Sequence, residues 1–206
     1  MSACTSWEAR MQKEAKTELT RQKLLDAVDS LITDSEDPIK VTSRQIAAVS
    51  GVQPAMINYC FGSRERLIYE VFLRKYEAAL SDAKVQKIVE SSLSPKDKLK
   101  KLHFVIASFL VKNYSFTKAI TSFVLFERDL SKEQFSYGLV KAHYAGKTGK
   151  DKKTDTECRM IAYELSTMLQ IVLYRYEDIR DHLGLDLEDP KKLRKYIDMR
   201  VDLLLP

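Results

Sequence analysis

The sequence predicts an all-α chain of about nine helices, and three observations carry the prediction. Glycine and proline are scarce, at 6 and 5 of 206 residues, well below the level of loop-rich all-β chains. Apolar residues recur at helical spacing, as at Leu24, Leu25, Val28, Leu31 and Ile32, and no segment alternates as a strand does. Pro54, Pro95 and Pro190 each sit at a helix start, where the missing proline N–H would have had no partner. A hydrophobic fraction of 45 % over this length is enough to bury a core, which excludes intrinsic disorder.

The first predicted helix runs from near Thr17 to Thr33, and Asp37-Pro38 breaks it. A short helix follows over Ser43 to Ser50, then a turn at Gly51 and a second short helix from Pro54 to Phe61, with Gln53 as a permissive cap. Gly62-Ser63 reopens the chain into a long helix over Arg64 to Val89, whose apolar positions Leu67, Val71, Phe72 and Leu80 keep helical spacing. Further helices are expected at Pro95 to Asn113, Phe116 to Leu130, Lys132 to Ala145, Asp155 to His182 and Pro190 to Leu205. The segment Gly146 to Asp155 reads as a solvated, mobile loop; its Gly146-Lys147-Thr148 lacks the upstream glycine and the strand that a phosphate-binding loop requires.

Composition excludes several function classes. Cys4, Cys60 and Cys158 are too few and too scattered for a disulfide framework or a Cys-x-x-Cys metal site, which fits a reducing compartment. The charged stretch from Met1 to Thr20 lacks the apolar centre of an export signal, and the longest apolar run, Phe104 to Val111, is far shorter than the roughly 18 residues of a membrane span. A soluble, cytoplasmic protein with no membrane partner is expected. His103, His143 and His182 fall on separate helices without ligand spacing, so no metal and no cofactor are expected. No nucleophile elbow or acid–base pair is visible, so the chain is not read as an enzyme.

The informative stretch is TSRQIAAVSGVQPAMINYCFGSRERL, Thr42 to Leu67. Two short helices crossing steeply need a small residue at the close approach, a residue tolerant of left-handed backbone in the turn, and an apolar anchor on the second helix. Ala47, Gly51 and Ile57 supply these, with Ile46 and Val52 beside them. The second helix is short of charge and is expected to turn Gln53, Ala55, Met56, Asn58 and Tyr59 away from Ile57, a surface suited to a DNA groove. Gln53 and the helix N-terminal amides suit phosphate, Pro54 and Ala55 suit a thymine methyl, Asn58 a base edge or phosphate, and Tyr59 a phosphate. Arg44 has guanine O6/N7 as its natural bidentate target, and Arg64 is expected to meet flanking phosphates. An ordinary packed corner of a helical bundle could place alanine and glycine in the same way. Charge is focused, not general: from Pro38 to Arg66, Lys40, Arg44, Arg64 and Arg66 face Glu65 alone, whereas over Met1 to Leu80 the two signs balance at 11 each.

Over Arg21 to Leu67 the sequence resembles the tetracycline-repressor-like (TetR) transcriptional regulators. Arg21-x-x-Leu24-Leu25-x-Ala27 is similar to that family's first helix, Ile46-Ala47 and Gly51-Val52 to its turn, and Asn58-Tyr59-Cys60-Phe61-Gly62-Ser63-Arg64-Glu65-x-Leu67 to its exit. The resemblance implies an N-terminal three-helix helix-turn-helix DNA-binding domain over residues 1–66 and a larger helical ligand-binding and dimerisation domain over 67–206. It also places Ser43, Arg44, Gln53, Pro54, Ala55, Asn58, Tyr59 and Arg64 on DNA-contacting positions. The implied function is a sequence-specific regulator, usually a repressor, released from a palindromic operator by a small molecule. The sequence departs from the pattern at Cys60, where histidine or tyrosine is common, at Gln53, in place of a serine or threonine cap, and at Asp37-Pro38, in place of a glycine-aromatic pair.

Reading an inverted repeat requires two heads one DNA turn apart, hence a homodimer. The apolar stripes Leu165, Met168, Leu169 and Val172, and Ile197, Val201 and Leu204, are candidates for its interface, with intramolecular core as the other reading. Polar residues in the central apolar helices, His103, Thr121, Tyr137, Tyr163, Thr167, Gln170 and Tyr174, suit either a cavity for an unidentified small-molecule effector or a satisfied core; the resemblance favours the cavity. The alternative for the whole chain is a helical small-molecule or lipid-binding protein that uses the hairpin only for packing.

Overall fold

The computed structural model describes residues 2–35, 38–127 and 136–206, and among these residues there are eleven α-helices, two 3₁₀ turns and no strand. The helices are α1 (Ser2–Asp34), α2 (Ser43–Ser50), α3 (Ala55–Phe61), α4 (Arg64–Leu80), α5 (Ala83–Glu90), α6 (Pro95–Lys112), α7 (Tyr114–Phe126), α8 (Tyr137–Tyr144), α9 (Asp155–Tyr174), α10 (Tyr176–Leu183) and α11 (Pro190–Leu204). The all-α class expected from the sequence is the class observed.

Six of the helix starts follow cap chemistry. Thr42 and Thr154 form reciprocal capping boxes with Gln45 and Glu157, and Ser63, Asp82, Ser94 and Asp189 each accept a bond from a first-turn amide. Two predicted long helices are divided. The helix expected over Arg64 to Val89 stops at Leu80, because Asp82 takes extended backbone and its carboxylate accepts from Lys84 N at 2.7 Å, starting α5. The helix expected over Asp155 to His182 breaks at Arg175 (φ −98°, ψ 20°), which turns Tyr176 into the core, where its hydroxyl donates to Asp186 at 3.0 Å. The first helix begins at Ser2, not near Thr17, and its early turns are exposed at Trp7 and Met11. Asp37, the ends of the helices expected at Leu130 and from Lys132, and the side chain of Cys4 lie outside the described residues. Gly149–Asp151 forms a 3₁₀ turn within the expected loop.

One contiguous buried cluster runs from Leu24 and Ile46 through Leu67 and Ile120 to Leu173 and Val201. Helix α1 packs on α2, α3 and α4, while α4 packs on α7 and α7 on α9. Helix α6 is held against α11 by Asp202, which receives Lys96 at 2.9 Å and Lys100 at 2.8 Å. The 3₁₀ turn Pro38–Lys40 rests on α7 and joins the N-terminal helices to the larger part of the chain. No helix among the described residues is long and apolar enough to cross a membrane.

Candidate nucleic-acid interface

Helix α2 is fixed at its start by Thr42, whose hydroxyl accepts from Gln45 N at 3.2 Å while Gln45 Oε1 accepts from Thr42 N at 2.8 Å. It ends at Gly51, in left-handed backbone (φ 66°, ψ 21°), and Val52 N donates back to the Ala47 carbonyl at 3.3 Å. Only a residue tolerant of positive φ turns the chain this tightly, which is why glycine stands here. Ile46, Ala47 and Ile57 are buried at the crossing, as the spacing requires.

Helix α3 is held on its inner side by Ile57 and Phe61 and turns Pro54, Ala55, Asn58 and Tyr59 to solvent. Tyr59 is 64 % exposed, an unusual position for an aromatic ring with no partner surface. Arg44 and Gln53 are exposed beside this face and Ser43 is half-buried at the start of α2. Met56, expected on the outer face, instead packs against the core. Pro54, not Gln53, occupies the cap position, and no side chain caps α3, so its first amides are not taken up by a capping group. The Gln53 carbonyl accepts from Met56 N at 2.9 Å.

Two arginines build the support beneath this face. Arg21, on α1, bonds both carboxylate oxygens of Glu70 on α4 at 2.8 Å, donates to the Cys60 carbonyl at the end of α3, and lies over the Phe61 ring at 4.2 Å. One guanidinium thus ties three helices together. Arg64 donates through Nη1 to the carbonyls of Ile39 (3.2 Å) and Val41 and through Nε to Glu65 at 2.8 Å. The expectation that Arg64 faces phosphate is therefore revised: its guanidinium is turned inward and holds the 3₁₀ turn. Burial raises the Glu65 carboxyl, but bonds from its own backbone amide, Arg64 and Ser63 outweigh it and leave the group below its ordinary value. Arg21 was legible in the sequence only as a helix residue, because its partners lie 39 and 49 positions away.

The second candidate region is a cavity of ≈ 100 Å³ between α4, α6, α7 and α9. Helix α4 contributes Tyr69, Phe72, Leu73 and Tyr76, and α7 contributes Val124. Helix α6 adds His103, Ile106 and Leu110, and α9 adds Ser166, Leu169 and Gln170. Of the polar residues expected at an effector site, His103 and Gln170 line this cavity, whereas Thr121, Tyr137, Tyr163, Thr167 and Tyr174 do not. Thr121 is buried against its own helix and donates to the Thr117 carbonyl at 2.6 Å. Tyr137 bonds to Asp155 at the α8–α9 contact, and Tyr174 is exposed on α9. Tyr163 and Thr167 are half-buried elsewhere on α9. His103 sits 2.7 Å from Ser136 Oγ, and burial pulls its pKa down from 6.5 to about 4, so the ring is neutral at pH 7. Among the described residues no group of three His, Cys, Asp or Glu side chains is placed to hold a metal ion.

The proposed pairing stripes also divide. Leu165, Leu169, Ile197 and Val201 are buried within the chain itself, so they are core and not a surface for a partner. Val172 and Leu204 are half-buried, and Met168 is exposed. The exposed apolar residues of these helices are Met160, Met168, Ile171 and Tyr174 on α9 and Met199 and Leu203 on α11.

No family model matches the sequence, and no curated protein matches it. Among solved structures, the crystal structure of a TetR transcriptional regulator from Rhodococcus sp. RHA1 is similar, at a TM-score of 0.53 and 16 % identity. The match covers 93 % of this chain and 97 % of that one. The chain therefore has the TetR fold over nearly its whole length.

Proposed function

We propose that the chain is a cytoplasmic, homodimeric, DNA-binding regulator of transcription, a repressor that leaves an inverted-repeat operator when a small molecule enters the cavity between α4, α6, α7 and α9. The observation that carries this reading is the outer face of α3: a short, uncharged helix with no side-chain cap and an exposed tyrosine, mounted behind a left-handed glycine turn. In a major groove, the Ala55 amide and Gln53 grip phosphate, Pro54 and Ala55 offer apolar contact to a thymine methyl, and Asn58 reaches a base edge. Tyr59 and Ser43 donate to phosphate, and Arg44 reads guanine. Arg64 is a positioning residue, acting through the carbonyls of Ile39 and Val41.

Two copies must hold their heads about 34 to 36 Å apart to read adjacent half-sites. Met160, Met168 and Ile171 on α9 and Met199 and Leu203 on α11, all exposed, form the pairing surface in this reading. Helix α4 begins at the head and lines the cavity, so a ligand that displaces it changes the separation of the heads. The ligand shifts the equilibrium only by its preference for the spacing that DNA cannot match.

Fluorescence anisotropy with labelled duplex across a salt series tests the reading. Binding that weakens steeply with salt, drops on Tyr59→Ala and accompanies a sedimenting dimer supports it. A monomer that ignores duplex DNA at low salt yet still binds small molecules overturns it in favour of a helical ligand carrier.

A further inference from the structure

We propose that the cavity takes an uncharged, single-ring aromatic molecule carrying one hydrogen-bond donor, a phenol-like compound, with Gln170 Oε1 as the acceptor that recognises it. This inference rests on the effector reading above and names the chemistry of its ligand.

Size comes first. The space of ≈ 100 Å³ is well below the 300–1,000 Å³ of pockets for drug-sized ligands, and approaches the roughly 150 Å³ apolar cavity known to admit benzene. A single ring is the scale that fits with modest yielding of the walls. The walls set the ring's character. Tyr69, Phe72 and Tyr76 present three rings from α4, already engaged in stacked and edge contacts with one another and with Phe109 and Phe123 at 4.9–6.4 Å. An aromatic guest extends this arrangement by the same offset and edge-to-face geometry.

Charge is excluded by what the walls lack. Among the described residues, none of those lining the cavity is acidic or cationic, and His103 is neutral at pH 7. A carboxylate or ammonium entering here would shed its water with no counter-charge to receive it. The polar groups then select the functional group. Ser166 donates to the Ala162 carbonyl at 3.1 Å, and His103 is paired with Ser136. Gln170 differs: its Oε1 is buried and has no hydrogen-bond partner among the described residues. An acceptor left in that state is costly, and a guest O–H or N–H removes the cost.

The test is calorimetric titration of the full-length protein, without DNA, using phenol, anisole, toluene and benzoate as probes. Phenol binds more tightly than anisole, which keeps the ring and oxygen but lacks the donor, and benzoate gives no heat of binding. In Gln170→Leu the affinity ratio of phenol to toluene falls about tenfold while toluene binding persists. Gln170→Met provides a second variant of similar volume, with circular dichroism confirming the fold of each. Anisole or benzoate binding as tightly as phenol, or a ratio unchanged in a folded variant, overturns the proposal. If neither variant folds, the order phenol above anisole above benzoate on the wild-type protein decides it. Because these titrations contain no DNA, loss of the ligand class and loss of the regulator reading are separate results: phenol binding without operator release removes only the effector role.

Discussion

Replacing Arg21 by alanine is expected to loosen the α2–α3 pair without removing any residue of its outer face. The guanidinium bonds both oxygens of Glu70 at 2.8 Å, donates to the Cys60 carbonyl, and covers the Phe61 ring at 4.2 Å. The Arg21 and Glu70 side chains are 25 % and 33 % exposed, so the ion pair is screened and contributes about 1 kcal/mol, not the several a buried pair would. The bond to the Cys60 carbonyl adds about 1 kcal/mol and the ring contact about 0.5 kcal/mol. Arg74 Nη2, 3.5 Å from Glu70 Oε1, keeps Glu70 partly paired after the change and limits the penalty. The expected loss is about 2 to 3 kcal/mol, or roughly 4–12 °C in Tm for a chain of this size. Arg21→Lys retains the charge but not the fork and loses about half as much. Urea denaturation gives the global value, and amide exchange shows whether α3 opens ahead of α9. A loss under about 0.5 kcal/mol, or strict additivity with Glu70→Gln, would refute the clamp.

Gly51→Ala meets no neighbouring atom within 4 Å, so its cost is conformational alone, about 1 to 2 kcal/mol by thermal denaturation, with Gly51→Asn costing less. His103 has a folded pKa of about 4 against an ordinary 6.5, so the unfolded chain binds the extra proton between those values. Stability is therefore full above about pH 6.5 and falls as pH drops toward 4, by about 3 kcal/mol; urea midpoints across that window should show the slope, and His103→Asn should remove it. Arg64→Ala should lower stability by about 1 to 2 kcal/mol through the stranded carbonyls of Ile39 and Val41, visible as faster exchange in the turn on α7. Arg44→Ala should cost about 1 to 3 kcal/mol of DNA affinity and relax preference at one base pair, read from binding to a set of single-substituted duplexes.

Much of the head was legible because its signals are local. Ala47, Gly51 and Ile57 set the crossing and Ser63 starts α4, all within a 17-residue window where spacing maps directly onto geometry. The breaks at Asp82 and Arg175 were not legible, because apolar residues continue at helical spacing across them and periodicity cannot register a change of axis. The pairing stripes misled for a related reason: Leu165 and Val201 lie on a helix face, but whether that face meets its own chain or another copy depends on α6 and α8, packed from far away in sequence. The cavity shows the same limit. Gln170 and His103 share it with Tyr69 and Val124 only through the packing of four helices. The inward turn of Arg64 follows from the path of the 3₁₀ turn, which residue type alone does not specify.

Selection from a random pool of duplex DNA by the purified, full-length protein tests the central claim most directly. The account predicts enrichment of an inverted repeat whose half-sites lie about one helical turn apart, or a multiple of it, with enrichment lost when Tyr59 and Arg44 are both replaced by alanine. A pool that remains random after repeated rounds at low ionic strength, with protein that is folded and dimeric, would contradict it.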